Sequence, residues 1–323
     1  MWRGAMNDVE ESPLKAVVVG GPTASGKSEV ARQIAREFGG VVINADSMQV
    51  YQELQIVTAR PDAAALAAVP HFLYGVLSAR ERCSAGRWRN MALAAARQAL
   101  AAGQLPVLVG GTGLYLKALL EGIVEIPNIP EAVVSKTEAW LSVEGLDAGR
   151  HKLEEVDPGM ARRLTVLDRQ RLVRALSVAA HTGKPLSWWV AQPPTATGQS
   201  IKALKIAILP PRNLLHSRID KRFVRMVENG AVDEVRQLMA LELSPSLPAM
   251  KAVGVPQLSS YLKGSIDLPT AITRGQAATR QYSKRQFTWF RRQFHAPKID
   301  FAQFSERNYN KIFTKICQFW LTG

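Results

Sequence analysis

The sequence is poor in cysteine and has no long apolar run. Cys83 and Cys317 are its only cysteines, and they form no Cys-x-x-Cys pair, which excludes a disulfide framework and a cysteine-based zinc site. No apolar run approaches the roughly 20 residues needed to span a bilayer. Residues 1–15 are acidic and do not resemble a signal peptide, whether the chain starts at Met1 or at Met6. We therefore expect a cytoplasmic protein without a membrane segment.

Acidic residues are also scarce relative to basic ones. The 41 Lys and Arg residues outnumber the 27 Asp and Glu residues, which gives a formal charge of +14. This balance favours a polyanionic partner such as RNA, DNA or an acidic membrane, although a basic enzyme without such a partner remains the alternative. With 323 residues, 47% of them hydrophobic, the chain can bury one large core and carry a smaller second lobe.

Apolar runs alternate with helical patterns over much of the chain. The runs predict strands at residues 15–20, 41–45, 71–77, 106–110 and 204–209. Strands that alternate with helices indicate an α/β fold with a mostly parallel sheet covered on both faces. Because the strand signal disappears between about 124 and 200, we predict a helical insertion domain there. The predicted domains are 1–123 and 201–323, which together form the core, and the insertion 124–200.

A glycine-rich phosphate-binding motif follows the first predicted strand and opens the first predicted helix. Its sequence, Gly-Pro-Thr-Ala-Ser-Gly-Lys-Ser, fits G-x-x-x-x-G-K-[ST]. Backbone amides and the helix N-terminus point at phosphate oxygens in such a loop, while Lys27 adds a charge and Ser28 can hold Mg²⁺. We therefore predict a P-loop NTPase-like core. The predicted phosphate-binding residues are Gly21, Pro22, Thr23, Ala24, Ser25, Gly26, Lys27 and Ser28.

The motif alone does not identify the phosphate compound, and an ATP-dependent kinase is one candidate. A nucleotidase usually has a later strand that ends in an acidic metal partner, but residues 106–109 run into Gly110-Gly111-Thr112 without a carboxylate. Asp46 instead follows the second predicted strand. It is either a displaced metal-binding residue or a base beside the phosphate site, at the sheet edge where open sheets bind ligands.

Four segments, taken in order, carry a close resemblance to the tRNA dimethylallyltransferases, also called tRNA isopentenyltransferases. They are residues 21–28, 46–51, 109–115 and 284–291. The resemblance spans roughly residues 17–291. It implies that the P-loop grips the diphosphate of dimethylallyl diphosphate, with Mg²⁺ assisting. It also implies that the acceptor is the exocyclic amine of adenosine 37, next to the anticodon of tRNA.

The resemblance further implies three catalytic residues. Asp46 would be the general base, Thr112 would contact the bridging region of the diphosphate, and Arg218 would bind the diphosphate. The residues themselves leave alternatives open. Arg218 lies on a helical face with other arginines that would suit solvent, and Thr112 would also suit a helix N-cap.

The C-terminal third contains a basic segment that suits RNA. Residues 274–298 include seven Lys and Arg residues and no Asp or Glu, interleaved with aromatics. Phe287, Phe290 and Phe294 have helical spacing and are expected to face the core, which leaves the basic side outward. With the resemblance, the predicted tRNA-binding residues are Asp46, Ser47, Met48, Gln49, Gln170, Arg171, Arg174, Lys284, Arg285, Gln286, Trp289 and Arg291.

We expect a monomer whose insertion domain clamps the anticodon stem-loop, although Arg171 and Arg174 would equally suit structural ion pairs. Three departures from the family pattern affect the tRNA side: Val255 stands where a tyrosine is common, Leu167-Asp168-Arg169 replaces Asn-Asp-Pro, and Ser177 replaces a glutamate. The rival functions are an isopentenyltransferase acting on free adenine nucleotides, a small-molecule kinase, and a non-catalytic RNA-binding protein.

Overall fold

The chain divides into two compact units. One is formed by residues 1–120 together with 198–323, and the other by residues 121–197. A computed structural model describes residues 13–193, 201–296, 298–299 and 306–321.

A six-stranded sheet forms the centre of the first unit. Its strands are β1 (Leu14–Gly20), β2 (Val41–Asn44), β3 (His71–Phe72), β4 (Pro106–Gly110), β5 (Ile201–Ile208) and β6 (Lys298–Ile299). Their order is β3-β2-β4-β1-β5-β6, and each neighbouring pair is parallel. Strands β2 and β4 are buried at every residue, which explains why they read as continuous apolar runs. The predicted α/β fold with a parallel sheet is confirmed.

Two predicted strands have different bounds in the structure. The strand expected at 71–77 ends at Phe72, because Leu73 and Gly75 adopt positive φ angles of 65° and 60° that leave strand geometry. Only an isolated bridge joins Leu77 to Tyr51. Strand β5 begins at Ile201, three residues before the predicted start, where its side chains are still partly exposed.

Helices cover the sheet and build the second unit. They are α1 (Lys27–Glu37), α2 (Ala63–Ala68), α3 (Ala85–Ala101), α4 (Gly113–Glu121), α5 (Glu131–Val156), α6 (Pro158–Arg163), α7 (Arg169–Thr182), α8 (Leu186–Ala191), α9 (Arg212–Glu228), α10 (Ala231–Ala240), α11 (Val255–Leu262), α12 (Leu268–Gln293) and α13 (Glu306–Leu321). The helical pattern over 212–241 is two helices, because Gly230 has φ 98° and breaks the run between α9 and α10. None of the helices within the described residues is long and apolar enough to cross a membrane.

The main core lies between the sheet and α1. Val30, Ala31, Ile34 and Ala35 form the buried face of α1, at the spacing of an amphipathic helix. They pack with apolar residues of β1, β2, β4 and β5, and with Ile312 and Ile316 of α13. This packing fixes the start of α1 directly after β1, where the phosphate-binding motif lies.

The second unit has its own core, and the regular elements within its described residues, 121–193, are all helices. Its buried cluster is formed by Leu141, Leu153, Ala161, Leu164, Leu172, Val173, Ala175 and Leu176. Asp157 is fully buried and stabilises the N-termini of α6 and α8. Its carboxylate accepts the Met160 N–H at 2.9 Å and the Ser187 N–H at 2.8 Å.

Candidate active site

The carboxyl ends of three adjacent strands bring together the loops that carry the predicted site. Gly20 of β1 pairs with Gly110 of β4, and Asn44 of β2 pairs with Val109 of β4. Because the strands are parallel and in register, the loops that follow them leave the sheet at one edge. This is the edge where open α/β sheets bind ligands.

The loop after β1, residues 21–26, is shaped to receive an anion, and we call it the anion-binding loop. Ala24 and Gly26 have positive φ angles of 61° and 92°, and Gly26 begins α1 without a side-chain cap. The first amides of α1 therefore remain for a ligand. Ser25 is only 2% exposed, and its hydroxyl has no hydrogen-bond partner within the described part of the chain. A buried hydroxyl left unpaired costs about 1–3 kcal/mol, which a ligand oxygen would offset.

Two cations converge on this loop. Lys27 is half-buried, and its ammonium group donates to the Pro22 carbonyl at 3.2 Å. Burial lowers the pKa of Lys27 to about 8, although the Asp46 carboxylate opposes that shift. The Arg222 guanidinium donates to the Thr23 hydroxyl, and its positive charge lowers the pKa of Lys27 further. Two partly desolvated cations side by side favour binding of a polyanion.

Asn44 holds Asp46 in place at the end of β2. The Asn44 carboxamide accepts the Asp46 N–H at 2.8 Å and donates to the carbonyls of Asp46 and Leu73, both at 3.0 Å. Asp46 Oδ1 in turn accepts the Met48 N–H at 2.9 Å. This local turn fixes the carboxylate beside the anion-binding loop.

Thr112 ties the loop after β4 to the loop after β2. Its hydroxyl accepts the Ser47 N–H at 2.9 Å and donates to the Ser47 hydroxyl at 3.2 Å. Gly110 allows this approach, because a Cβ there would lie 2.0 Å from the Ala45 carbonyl oxygen. The Thr112 hydroxyl therefore positions the loop that carries Asp46.

A cavity of about 240 Å³ opens beside these loops in the first unit. Its polar wall includes Thr23, Asp46, Ser47, Thr58, Lys251, Arg222, Tyr282 and Arg285. Its apolar wall is formed by Met48, Val57, Ile219, Phe223, Met226, Ala252 and Val253. Burial and the nearby Asp46 carboxylate raise the pKa of Tyr282, which keeps its hydroxyl neutral. The cavity thus offers cations, one carboxylate and an apolar surface to the same ligand.

Arg222, on α9, donates to the Thr23 hydroxyl of the anion-binding loop. Arg218 lies one turn earlier on α9 and is not among the residues that line the cavity. Because Arg218 and Arg222 share one helical face, the sequence pattern alone could not separate them. Arg222 is therefore a second candidate for binding the diphosphate, and the role of Arg218 stays a prediction.

Family models match most of the chain. A model described as IPP transferase matches residues 49–293, and one described as isopentenyl transferase matches residues 14–74. The chain belongs to the tRNA dimethylallyltransferase family. It is 47% identical to the tRNA dimethylallyltransferase of Rhodospirillum centenum over 90% of this chain and 93% of that protein. Identity to the tRNA dimethylallyltransferase of Paramagnetospirillum magneticum is 48%, over 95% of this chain and 98% of the relative.

Solved structures of the family have the same fold. A tRNA isopentenylpyrophosphate transferase from Bacillus halodurans matches with a TM-score of 0.67 at 29% identity, covering 95% of this chain and 98% of that one. A eukaryotic dimethylallyltransferase solved acting on tRNA matches with a TM-score of 0.77 at 26% identity, covering 94% of this chain and 78% of that one.

In this member of the tRNA dimethylallyltransferase family, helix α12 separates the predicted tRNA-binding residues into two groups. Lys284, Arg285 and Arg291 are exposed, as expected for a surface that binds phosphates. Gln286 is buried, and Trp289 is half-buried, with its ring so close to Gly113 that a Cβ there would lie 2.3 Å from a ring atom. These two side chains face the protein. Phe290 and Phe294 are buried and Phe287 is half-buried, as their spacing predicted.

The remaining predicted tRNA-binding residues differ in their surroundings. Gln170, Arg171 and Arg174 are exposed on α7, and Arg171 makes an exposed ion pair with Asp168 at 3.8 Å. In the first unit, the Gln49 carboxamide donates to the Thr58 carbonyl at 2.8 Å and to the Ala59 carbonyl at 3.1 Å, so it shapes the loop beside the cavity.

The departures from the family pattern are accommodated within the protein. Val255, where the family commonly has tyrosine, is fully buried at the start of α11. Asp168 caps α7 by accepting the Arg171 N–H at 3.1 Å. Ser177 is buried, and its hydroxyl donates to the Thr137 hydroxyl at 3.1 Å.

Glu234, far along the chain from the loops of the site, supports the cavity wall and was not anticipated from the sequence. Its carboxylate accepts the N–H groups of Gln55, Ile56 and Val57 at 2.8, 2.7 and 2.9 Å. Val57 lines the cavity, so this contact holds the cavity wall. A carboxylate that accepts three amides is a strong, charge-assisted anchor, but no local pattern marks it.

Proposed function

We propose that this protein transfers a dimethylallyl group from dimethylallyl diphosphate to the exocyclic N6 amine of adenosine 37 in tRNA. The observation that carries the proposal is one cavity lined by Thr23 of the anion-binding loop, Arg222 of α9 and Asp46, together with an apolar wall. The named relatives, which match at least 90% of the chain, support this activity over the rival functions.

The anion-binding loop suits the diphosphate of the donor. When the allylic C–O bond breaks, negative charge builds on the leaving diphosphate. The amides of α1, Lys27 and Arg222 would meet that charge. Removing one aligned donor of this kind typically costs about 10²- to 10³-fold in rate.

The donor site would also hold Mg²⁺, with the Ser28 hydroxyl in the first turn of α1 as its protein contact. The described residues contain no cluster of three or more His, Cys, Asp or Glu that could hold a metal by themselves. A single protein hydroxyl beside the substrate phosphates suits Mg²⁺, which usually keeps several waters and binds through one or two protein groups and substrate phosphates. Bound there, the ion would neutralise charge on the leaving group.

The apolar wall suits the five-carbon chain of the donor. Ile219, Phe223 and Met226 project from α9 into the cavity near Arg222. An apolar surface beside the reacting carbon favours the isoprenoid and limits the access of water, which would otherwise hydrolyse the donor.

Asp46 would act as the general base. A neutral aromatic amine is a weak nucleophile, and a carboxylate that accepts its hydrogen bond both orients it and removes its proton as the new C–N bond forms. The Asn44 and Met48 contacts hold the carboxylate in position before the acceptor arrives.

The acceptor base must leave the anticodon-loop stack to enter this cavity, at a cost of a few kcal/mol. Exposed basic residues of α12 can offset that cost by binding phosphates. Arg285 is exposed and also lines the cavity, so it connects the RNA-binding side of α12 to the site of transfer. The clamping role of the helical insertion, a monomeric state and a cytoplasmic location are further parts of the proposal.

A transfer assay tests the proposal. Purified protein would be incubated with Mg²⁺ and labelled dimethylallyl diphosphate, and either an unmodified tRNA transcript with adenosine 37, the same transcript with guanosine 37, or AMP. Label on the adenosine transcript alone is expected. Label on AMP would support the nucleotide-modifying rival, and no transfer would refute the proposal. In a parallel incubation with γ-labelled ATP, transfer of label from ATP alone would support a kinase.

A further inference from the structure

Gln286 lies on the buried side of α12. It is 5% exposed and shares a stripe with Thr279, Ser283 and Phe290, all of them buried. The basic residues Lys284 and Arg285 precede it directly in sequence but are exposed. Its position therefore does not suit a direct contact with RNA.

The Gln286 carboxamide joins two of the loops at the sheet edge. Its Oε1 accepts the Thr23 N–H at 2.8 Å, and its Nε2 donates to the Gly111 carbonyl at 2.9 Å. Thr23 belongs to the anion-binding loop, and Gly111 precedes Thr112. One planar amide thus sets the separation of the loops after β1 and β4.

Gly111 leaves the space that this contact needs. A Cβ at Gly111 would lie 2.2 Å from Nε2 of Gln286, a separation that side chains do not tolerate. The Thr23 amide, held by Gln286, is next in the chain to the Pro22 carbonyl that Lys27 contacts. Displacing the carboxamide would therefore disturb the geometry of the cation as well as that of the loop.

We propose that Gln286 is a positioning residue that holds the anion-binding loop at a fixed distance from Thr112 and Asp46, and that it makes no tRNA contact. The inference rests on the proposed function in one respect, namely that this loop binds the donor diphosphate. Losing the carboxamide leaves the Thr23 N–H and the Gly111 carbonyl without their partner, and the loop then relaxes away from the conformation that binds the donor.

Two substitutions separate the hydrogen bonds from the packing. Gln286→Met keeps the length and most of the volume but removes both bonds. Gln286→Glu keeps an acceptor for the Thr23 N–H but places a carboxylate oxygen against the Gly111 carbonyl, beside the donor site. Ser283→Ala is the matched control, because Ser283 is buried on the same stripe and its hydroxyl has no partner among the described residues.

The experiment measures KM for dimethylallyl diphosphate, KM for tRNA, kcat and the thermal midpoint of each variant, together with the affinity for inorganic pyrophosphate. Gln286→Met is expected to raise the donor KM and the pyrophosphate Kd by about tenfold, the usual order for one to two lost hydrogen bonds. Gln286→Glu is expected to raise them further, because of its charge. The tRNA KM should stay within about twofold in both variants, and Ser283→Ala should match the unsubstituted protein.

Three results would overturn the inference. A raised tRNA KM with an unchanged donor KM would make Gln286 an RNA contact. A lower thermal midpoint with unchanged donor and pyrophosphate affinities would reduce it to a structural residue. Equal effects of Ser283→Ala would remove any specific role for the carboxamide. Pyrophosphate binding needs no turnover, so failure of prenyl transfer in the unsubstituted protein would refute the proposed function separately.

Discussion

Raising the pH above about 8 should weaken donor binding through Lys27. Burial lowers the pKa of this ammonium group from its usual 10.5 to about 8, with Asp46 opposing the shift and Arg222 adding to it. The group is therefore charged in the free enzyme below pH 8 and loses its charge as the pH rises through that value. Phosphate groups titrate near pH 6, so the donor remains ionised over the same range.

The size of the effect follows from the fraction of Lys27 that stays protonated. One pH unit above the pKa, about one-tenth remains charged, so kcat/KM for the donor should fall about tenfold per unit above pH 8. This ratio reports groups of the enzyme before the donor binds, whereas kcat reports the complete complex. A bound diphosphate favours the charged form, so the fall in kcat should begin at a higher pH.

The assay is the pH dependence of kcat/KM for dimethylallyl diphosphate between pH 7 and 9.5, at saturating tRNA. Lys27→Arg provides the comparison, because a guanidinium keeps its charge throughout this range. Its profile should be flat above pH 8, whatever its absolute rate. A flat profile in the unsubstituted enzyme, or the same fall in Lys27→Arg, would refute the assignment.

Three further predictions concern the other charged groups. Asp46→Asn should lower the rate of transfer by about 10²-fold or more with little change in tRNA affinity, because asparagine keeps the oxygen that accepts the Met48 N–H but cannot take a proton. An unchanged rate constant in a single-turnover assay would exclude Asp46 as the base. Arg222→Ala should lower kcat/KM for the donor by about 10²- to 10³-fold, and Arg218→Ala should lower it by far less, because Arg222 contacts the anion-binding loop. A larger loss in Arg218→Ala than in Arg222→Ala, measured by steady-state kinetics, would contradict the proposal that Arg222 binds the diphosphate. Affinity for tRNA should fall by orders of magnitude between about 50 and 200 mM salt. Lys284→Ala should reduce the slope of log K against log salt by about one. A tRNA affinity that does not change with salt in a filter-binding titration would argue against phosphate binding by the basic residues of α12.

The core of the site could be predicted because its signals are local. A P-loop motif directly after an apolar run fixes both the end of β1 and the start of α1, and Asp46 lies two residues beyond the end of β2. Once the strands are known to be parallel, their ends must share one edge, so Asp46 was expected near the anion-binding loop. The expectation for Thr112 came from the family resemblance.

The other features depend on contacts between distant parts of the chain. The Thr23 amide and Gln286 are 263 residues apart, and Arg222 reaches Thr23 across 199 residues. Helical periodicity showed a basic face on α12 but not that Gln286 turns inward. The strand predicted over 71–77 also failed, because apolar composition does not reveal the left-handed backbone of Leu73.

The anchor made by Glu234 has a consequence for how the site is assembled during synthesis. The carboxylate lies 177 to 179 residues after the three amides that it binds. A ribosome will therefore have made the helical insertion and α9 before the segment around Val57 can gain this support. The cavity becomes complete only late in translation, although the P-loop, Asp46 and Thr112 all precede α4. N-terminal fragments that contain all three would still lack a finished cavity.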